Sequence, residues 1–145
     1  MKSARFGFNI VEDLASADFV VDAYGLTLDD LFKACAIACF SAITEIDYVE
    51  SRNEFSIKIQ GDDLNELLYN YIAELIYLKD TEKIFISYFD IRISDDMKSL
   101  ASIVRGEMID YNKHVIKTDV KAVTYHSLNI VERDGRFETR MVLDL

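Results

Sequence analysis

The chain has 145 residues, half of them hydrophobic, and a formal net charge of −10. That size and hydrophobic fraction suit one buried core, so we predict a single domain over residues 1–145. The charge argues against direct nucleic-acid binding, which needs excess Lys and Arg, and favours a basic protein partner, a cation or simply solubility. No apolar run approaches the roughly 20 residues that cross a bilayer, so we expect no membrane association. Two cysteines without a secretory segment favour a cytoplasmic protein, whose oligomeric state the sequence leaves open.

Hydrophobic spacing predicts two helices and seven strands. The first helix opens with Thr27-Leu-Asp-Asp30, which has the form of a capping box, and runs to about Ile46, whereas the second starts at Asp62-Asp63. Cys35 and Cys39 lie one turn apart with no further Cys or His pair to complete a metal site, so we interpret them as core residues. The strands are predicted over residues 5–10, 18–24, 54–60, 84–94, 99–109, 119–131 and 136–144. This order predicts an α+β fold with two helices packed against one antiparallel or mixed sheet.

The C-terminal segment carries the clearest local signal, a β-hairpin turn at Asp134-Gly135. Pairing continued from that turn places Glu132 opposite Phe137. Further along, the same pairing places His126 opposite Leu143 and Tyr125 opposite Asp144. The last strand would therefore run to the end of the sequence, where chain termini ordinarily fray. We expect it to hold the Asp144 side chain and the Leu145 α-carboxylate close together.

Alternation along the same hairpin predicts its two faces. Lys121, Tyr125 and Asp144 should share one face, and His126 should lie on the other. Lys121 and Tyr125 are then candidates to support Asp144 or to contact a partner. The position of His126 indicates a partly buried histidine rather than a catalytic base, because no nucleophile accompanies it in the sequence.

Several motifs, in order and at comparable spacing, resemble the archease family over nearly the whole chain. They are Asp22-Ala-Tyr-Gly25, Thr27-Leu-Asp-Asp-Leu-Phe32, the helix segment Leu67-Leu-Tyr-Asn-Tyr-Ile-Ala-Glu-Leu-Ile-Tyr-Leu-Lys-Asp-Thr-Glu82, Lys121-Ala-Val-Thr-Tyr-His126 and Met141-Val-Leu-Asp-Leu145. The family usually has His-Thr-Ala-Asp before its second strand. Here the stretch reads Ala15-Ser-Ala-Asp18, and the preceding residues, Asn9 to Leu14, form a longer segment than usual.

The resemblance implies a protein cofactor rather than an enzyme. Archeases activate the RtcB-type RNA ligase that joins tRNA halves after intron removal, promoting guanylylation of the ligase histidine and multiple turnover. The resemblance also implies a bound divalent cation, commonly calcium, whose matched ligands are Asp18, Asp144 and Leu145. Carboxylates are hard oxygen ligands suited to Ca²⁺, Mg²⁺ or Mn²⁺. Read without the resemblance, both aspartates would be solvated residues at strand ends.

Two other functions remain open from the residues. The chain could be an acidic protein-interaction module or chaperone-like adaptor, or a small metal-dependent hydrolase that uses His126 with nearby carboxylates. No glycine-rich phosphate loop, His-Glu-x-x-His or Gly-x-Ser-x-Gly motif is present. The residues favour the activator, because the motifs that match the family span the chain and no enzyme motif does.

Overall fold

Two antiparallel β-sheets and two long helices form the fold in the computed structural model, which describes residues 4–11 and 18–145. A short 3₁₀ helix over Ile46–Tyr48 follows the first long helix. The elements in chain order are β1 (Phe6–Val11), β2 (Phe19–Gly25), α1 (Leu28–Ile43), β3 (Asn53–Gln60), α2 (Leu64–Glu82), β4 (Ile84–Ile93), β5 (Ser99–Met108), β6 (Ala122–Val123), β7 (Val131–Arg133) and β8 (Arg136–Asp144).

The strands form two sheets rather than one. The first has the order β1-β2-β8-β6, with β7 also pairing with β8, and the second has the order β3-β5-β4. All of these pairings are antiparallel. The α+β class is therefore confirmed, but the prediction of a single sheet is wrong. Alternation along a strand shows which residues face the core and leaves open which strand is the partner.

Both helices begin at side-chain caps near the predicted positions. The Thr27 hydroxyl accepts a hydrogen bond from the Asp30 N–H at 3.1 Å, and the Asp63 carboxylate accepts one from the Glu66 N–H at 2.9 Å. These caps satisfy N–H groups that have no partner within the helix. Helix α1 ends at Ile43, three residues before the predicted end.

Helix α1 is buried along most of its length, including both cysteines. Cys35 and Cys39 have no exposed surface, and burial raises the pKa of each thiol to about 12. A protonated, inaccessible thiol packs as a small apolar side chain. Their interpretation as core residues is confirmed.

The Asp134-Gly135 turn is present, and its local pairing is as predicted. Both residues have positive φ, 55° and 77°, as a type I′ turn requires. Glu132 pairs with Phe137 across the turn.

Beyond this turn the predicted strand over residues 119–131 is wrong. Only β6 and β7 are strands, and the chain between them turns through Ser127, whose φ is 63°. Leu128 is buried in this turn, and the Ile130 N–H donates to the Asn65 side chain of α2 at 2.8 Å. Packing on α2 thus replaces the continuous ladder that alternation suggested.

The interruption changes the register at the end of β8. Ala122 pairs with Asp144 and Val123 with Leu143, three residues before the predicted partners. The predicted pairings of Tyr125 with Asp144 and of His126 with Leu143 are therefore wrong, as is the shared hairpin face.

Within the described ranges, neither long helix combines the length and apolar character needed to span a lipid bilayer.

Candidate functional site

The end of β8 lies beside the start of β2, and this pairing determines where the predicted cation ligands lie. Phe19 on β2 pairs with Leu143 on β8 in antiparallel register. Asp18 and Asp144 are each one residue beyond that pair, at the same end of the sheet, and both are exposed. Asp18 and Asp144, which are far apart in the sequence, therefore lie at the same end of the sheet on neighbouring strands.

The backbone at this end is held from both sides. On one side β8 pairs with β2 up to Leu143. On the other side Ala122 pairs with Asp144, and the Lys121 N–H donates to the Asp144 carbonyl at 2.9 Å. The Leu145 side chain is partly buried against the core. These contacts anchor the backbone of Asp144 and the side chain of Leu145.

The donor set suits a hard cation. Among residues 4–11 and 18–145, no three His, Cys, Asp or Glu side chains form a group that could hold a metal. A cation at this sheet end would need an oxygen donor besides Asp18 and Asp144, for which the family resemblance implies the Leu145 carboxylate. Oxygen donors of this kind match Ca²⁺, Mg²⁺ or Mn²⁺. Ala15, which replaces the family's usual histidine, lies outside the described residues.

The other three predicted residues are Lys121, Tyr125 and His126, and their side chains have separate surroundings. The Lys121 side chain lines a small cavity between β6 and α2, together with Tyr69 and Tyr77. The Tyr125 ring stacks on Tyr69 with centroids 4.1 Å apart, and partial burial together with nearby carboxylates raises the pKa of Tyr125. His126 is exposed, and its imidazole has no hydrogen-bond partner among the residues that the structure describes. The prediction of a partly buried His126 is wrong.

A buried lysine near the same edge is absent from the sequence-based prediction. Lys79, in the last turn of α2, is 5% exposed. Its ammonium group lies 2.8 Å from Asp80 Oδ1, 3.3 Å from Asp119 Oδ1 and 3.4 Å from the Val120 carbonyl. The burial of Lys79 could have been predicted from helical spacing, because Lys79 lies four residues after Leu75 and so continues the apolar stripe of α2.

A second charged cluster surrounds Glu107, at the end of β5. One carboxylate oxygen accepts from the His114 ring and the Glu50 N–H at 2.8 and 3.2 Å, and the other accepts from Lys113 and Arg52 at 2.8 and 3.2 Å. The hydrogen bond from Lys113 is the largest cause holding the pKa of Glu107 at about 2, against the opposing effect of burial. The cluster joins the segment after β5 to the segment before β3.

Comparison with known proteins gives consistent results over nearly the full chain. The model of the Archease protein family matches residues 8–145. The Pyrococcus furiosus protein named archease is 38% identical over 134 residues, which cover 90% of this chain and 94% of that protein.

Two solved structures are similar in fold. The solution structure of Methanobacterium thermoautotrophicum protein 1598 has a TM-score of 0.79 at 34% identity, covering 97% of this chain and 99% of that one. The crystal structure of a Thermotoga maritima archease, described as a possible chaperone, has a TM-score of 0.64 at 15% identity. The match covers 100% of this chain and 98% of that one. At 15% identity the similarity concerns the fold alone.

Proposed function

Because this chain belongs to the archease family, we propose that it is a non-catalytic activator of an RtcB-type tRNA-splicing ligase. It would promote guanylylation of the ligase and allow multiple turnovers. The observation that carries the proposal is the pair of carboxylates at one sheet end, where Asp144 is fixed by main-chain contacts on both sides. The buried, unpaired thiols are in keeping with a cytoplasmic protein.

In this proposal Asp18, Asp144 and the Leu145 carboxylate hold a divalent cation, Ca²⁺ or alternatively Mg²⁺ or Mn²⁺. When bound, such an ion would neutralise charge between phosphate oxygens during nucleotidyl transfer. The chain's own part is to bind and orient. The net charge of −10 favours approach to a basic surface around a nucleotide site, and the main-chain contacts of Asp144 anchor the strand end that carries it.

The test is an RNA-ligation assay with the ligase of the same host, GTP and Mn²⁺, with catalytic amounts of this protein. We expect more than one ligation per ligase and faster formation of the ligase–GMP adduct. Asp144→Ala and Asp18→Ala should each lose most of the stimulation. Asp95→Ala is the matched control, since it removes an exposed carboxylate from the turn between β4 and β5 in the other sheet. A protein that leaves turnover and adduct formation unchanged would refute the activator function.

One alternative keeps a partner but needs no cation. An acidic adaptor, in line with the description of the Thermotoga maritima relative as a possible chaperone, would stimulate or stabilise its partner through surface charge alone. It predicts that Asp18→Ala and Asp144→Ala retain stimulation and that raised salt reduces it. The hydrolase alternative loses support, because the exposed His126 has no partner among the described residues to orient it as a base.

A further inference from the structure

We propose that Lys79 is a positioning residue that holds the end of β8 in place for cation binding. The inference rests on the proposed cation site at Asp18, Asp144 and Leu145. Lys79 contacts none of these residues in the described contacts. It acts on the segment that leads into β6, the strand that flanks Asp144.

The setting of Lys79 requires specific partners. Burying an ammonium group is costly unless it is paired and hydrogen-bonded. Here the ammonium group contacts the Asp80 carboxylate, the Asp119 carboxylate and the Val120 carbonyl. Asp80 follows directly on the same helix, whereas the other two lie about forty residues further along the chain. Lys79 therefore joins the end of α2 to a distant segment.

That segment is held by separate contacts rather than by a strand ladder of its own. Residues 109–121 contain neither helix nor strand, and β6 is only two residues long. Contacts to the end of α1 hold the segment further back, where the Lys117 N–H donates to the Ile43 carbonyl at 2.9 Å. Lys79 supplies the next side-chain contacts, immediately before β6.

The contacts then continue to the chain end in three consecutive steps. Lys79 binds Val120, which is fully buried; the next N–H, that of Lys121, donates to the Asp144 carbonyl; and Ala122 pairs with Asp144. We expect loss of the ammonium group to remove the hydrogen bonds that join Asp119 and Val120 to α2, while Val120 stays buried in the core, and so to weaken one of the two sides that fix Asp144. Residues that support metal ligands typically change affinity by about 10- to 100-fold when they are lost, and we expect about tenfold here because the support is indirect.

The test measures cation binding and local protection on the full chain. Lys79→Met keeps the length and apolar stem of the side chain, and Lys58→Met is the matched control on the exposed face of β3. We expect calorimetric Ca²⁺ affinity to fall about tenfold in Lys79→Met and to stay unchanged in the control. Amide hydrogen exchange at Lys121 should become faster without a matching rise in the core of β5. Wild-type Ca²⁺ affinity in Lys79→Met would overturn the inference, whatever the exchange rate at Lys121.

Two further arms keep the outcomes separate. Asp119→Ala removes one partner of the ammonium from an exposed position and should give the same changes to a smaller extent, which covers the case in which Lys79→Met does not fold. If the wild-type chain binds no Ca²⁺, Mg²⁺ or Mn²⁺, the proposed cation site fails, and the positioning role fails with it even if exchange at Lys121 increases. If the wild-type chain binds the cation and Lys79→Met binds it with the same affinity, the cation site stands and only the positioning role fails.

Discussion

Replacing Glu107 by Gln tests how much the buried charge cluster contributes to stability. The Gln side chain keeps the shape of Glu, but its NH₂ group replaces one of the two carboxylate oxygens, so one of the two positions becomes a donor. The His114 ring offers a proton at Nε2, because its Nδ1 accepts the Asp110 N–H at 2.9 Å. The favoured orientation therefore turns the amide oxygen to His114, and the amide nitrogen then faces Lys113 and Arg52, donor against donor.

The cost follows from the two lost charged hydrogen bonds. The lowered pKa of Glu107, about 2 against an ordinary 4.5, corresponds to at most about 3 kcal/mol between the two protonation states. Lys113 and Arg52 have 35% and 65% exposed side chains, so they can turn to water and part of that energy is recovered. We expect the free energy of unfolding to fall by about 2 kcal/mol. For a chain of this length that is a melting temperature lower by about 6 °C.

The assay is urea and thermal unfolding of Glu107→Gln beside Glu54→Gln. The control removes an exposed partner of Arg105, where about 0.5 kcal/mol or less is expected. A loss in Glu107→Gln no larger than in Glu54→Gln would refute the reasoning.

The same variant predicts a pH dependence. Because the pKa of Glu107 is lower in the folded state, its stabilisation is present in full above about pH 4.5 and is lost as the pH falls toward about 2. The difference between wild type and Glu107→Gln should therefore be constant near neutrality and shrink below about pH 4.5. A difference that persists unchanged at pH 3 would contradict the assigned cause.

Three further substitutions test the packing of the fold. Tyr71→Phe should lower the free energy of unfolding by about 1–2 kcal/mol in urea, because it leaves the buried Ser102 hydroxyl without its partner, the Tyr71 hydroxyl 2.8 Å away. Adding Ser102→Ala should recover part of this loss. No recovery would mean that packing is the cause. Gly106→Ala should lower the free energy of unfolding by about 3 kcal/mol, since the added Cβ would lie 1.9 Å from the Phe85 carbonyl oxygen. An unchanged melting temperature would show that β4 can shift to make room. Thr27→Ala should cost about 1 kcal/mol by removing the cap of α1, again measured in urea.

Local features of the fold were predictable from the sequence because neighbouring residues determine them. The Asp134-Gly135 turn needs positive φ at two adjacent positions, and the caps of α1 and α2 use hydrogen bonds that span three residues. Helical spacing located the buried face of α1, and the last strand does end at Asp144. All of these depend on contacts within a few positions along the chain.

The arrangement around the candidate site depended instead on distant contacts. Alternation extended the hairpin through Tyr125 and His126, but packing against α2 turned the chain there and moved the pairing with Asp144 to Ala122. A shift of register changes every cross-strand neighbour, so the predicted surroundings of Asp144 were wrong although its position at a strand end was right.

The sequence by itself thus determined both helices and all but one of the predicted strands, and its resemblance to the family named Asp18, Asp144 and Leu145 as candidate ligands. Only the tertiary structure decided that β2 lies beside β8, which brings Asp18 to the same sheet end as Asp144. It also decided that Lys79 is buried. The physical reason is the separation of the groups along the chain. The partners of Lys79 lie about forty residues away, and the strands β2 and β8 are more than a hundred residues apart. Local spacing carries no information about contacts of that range.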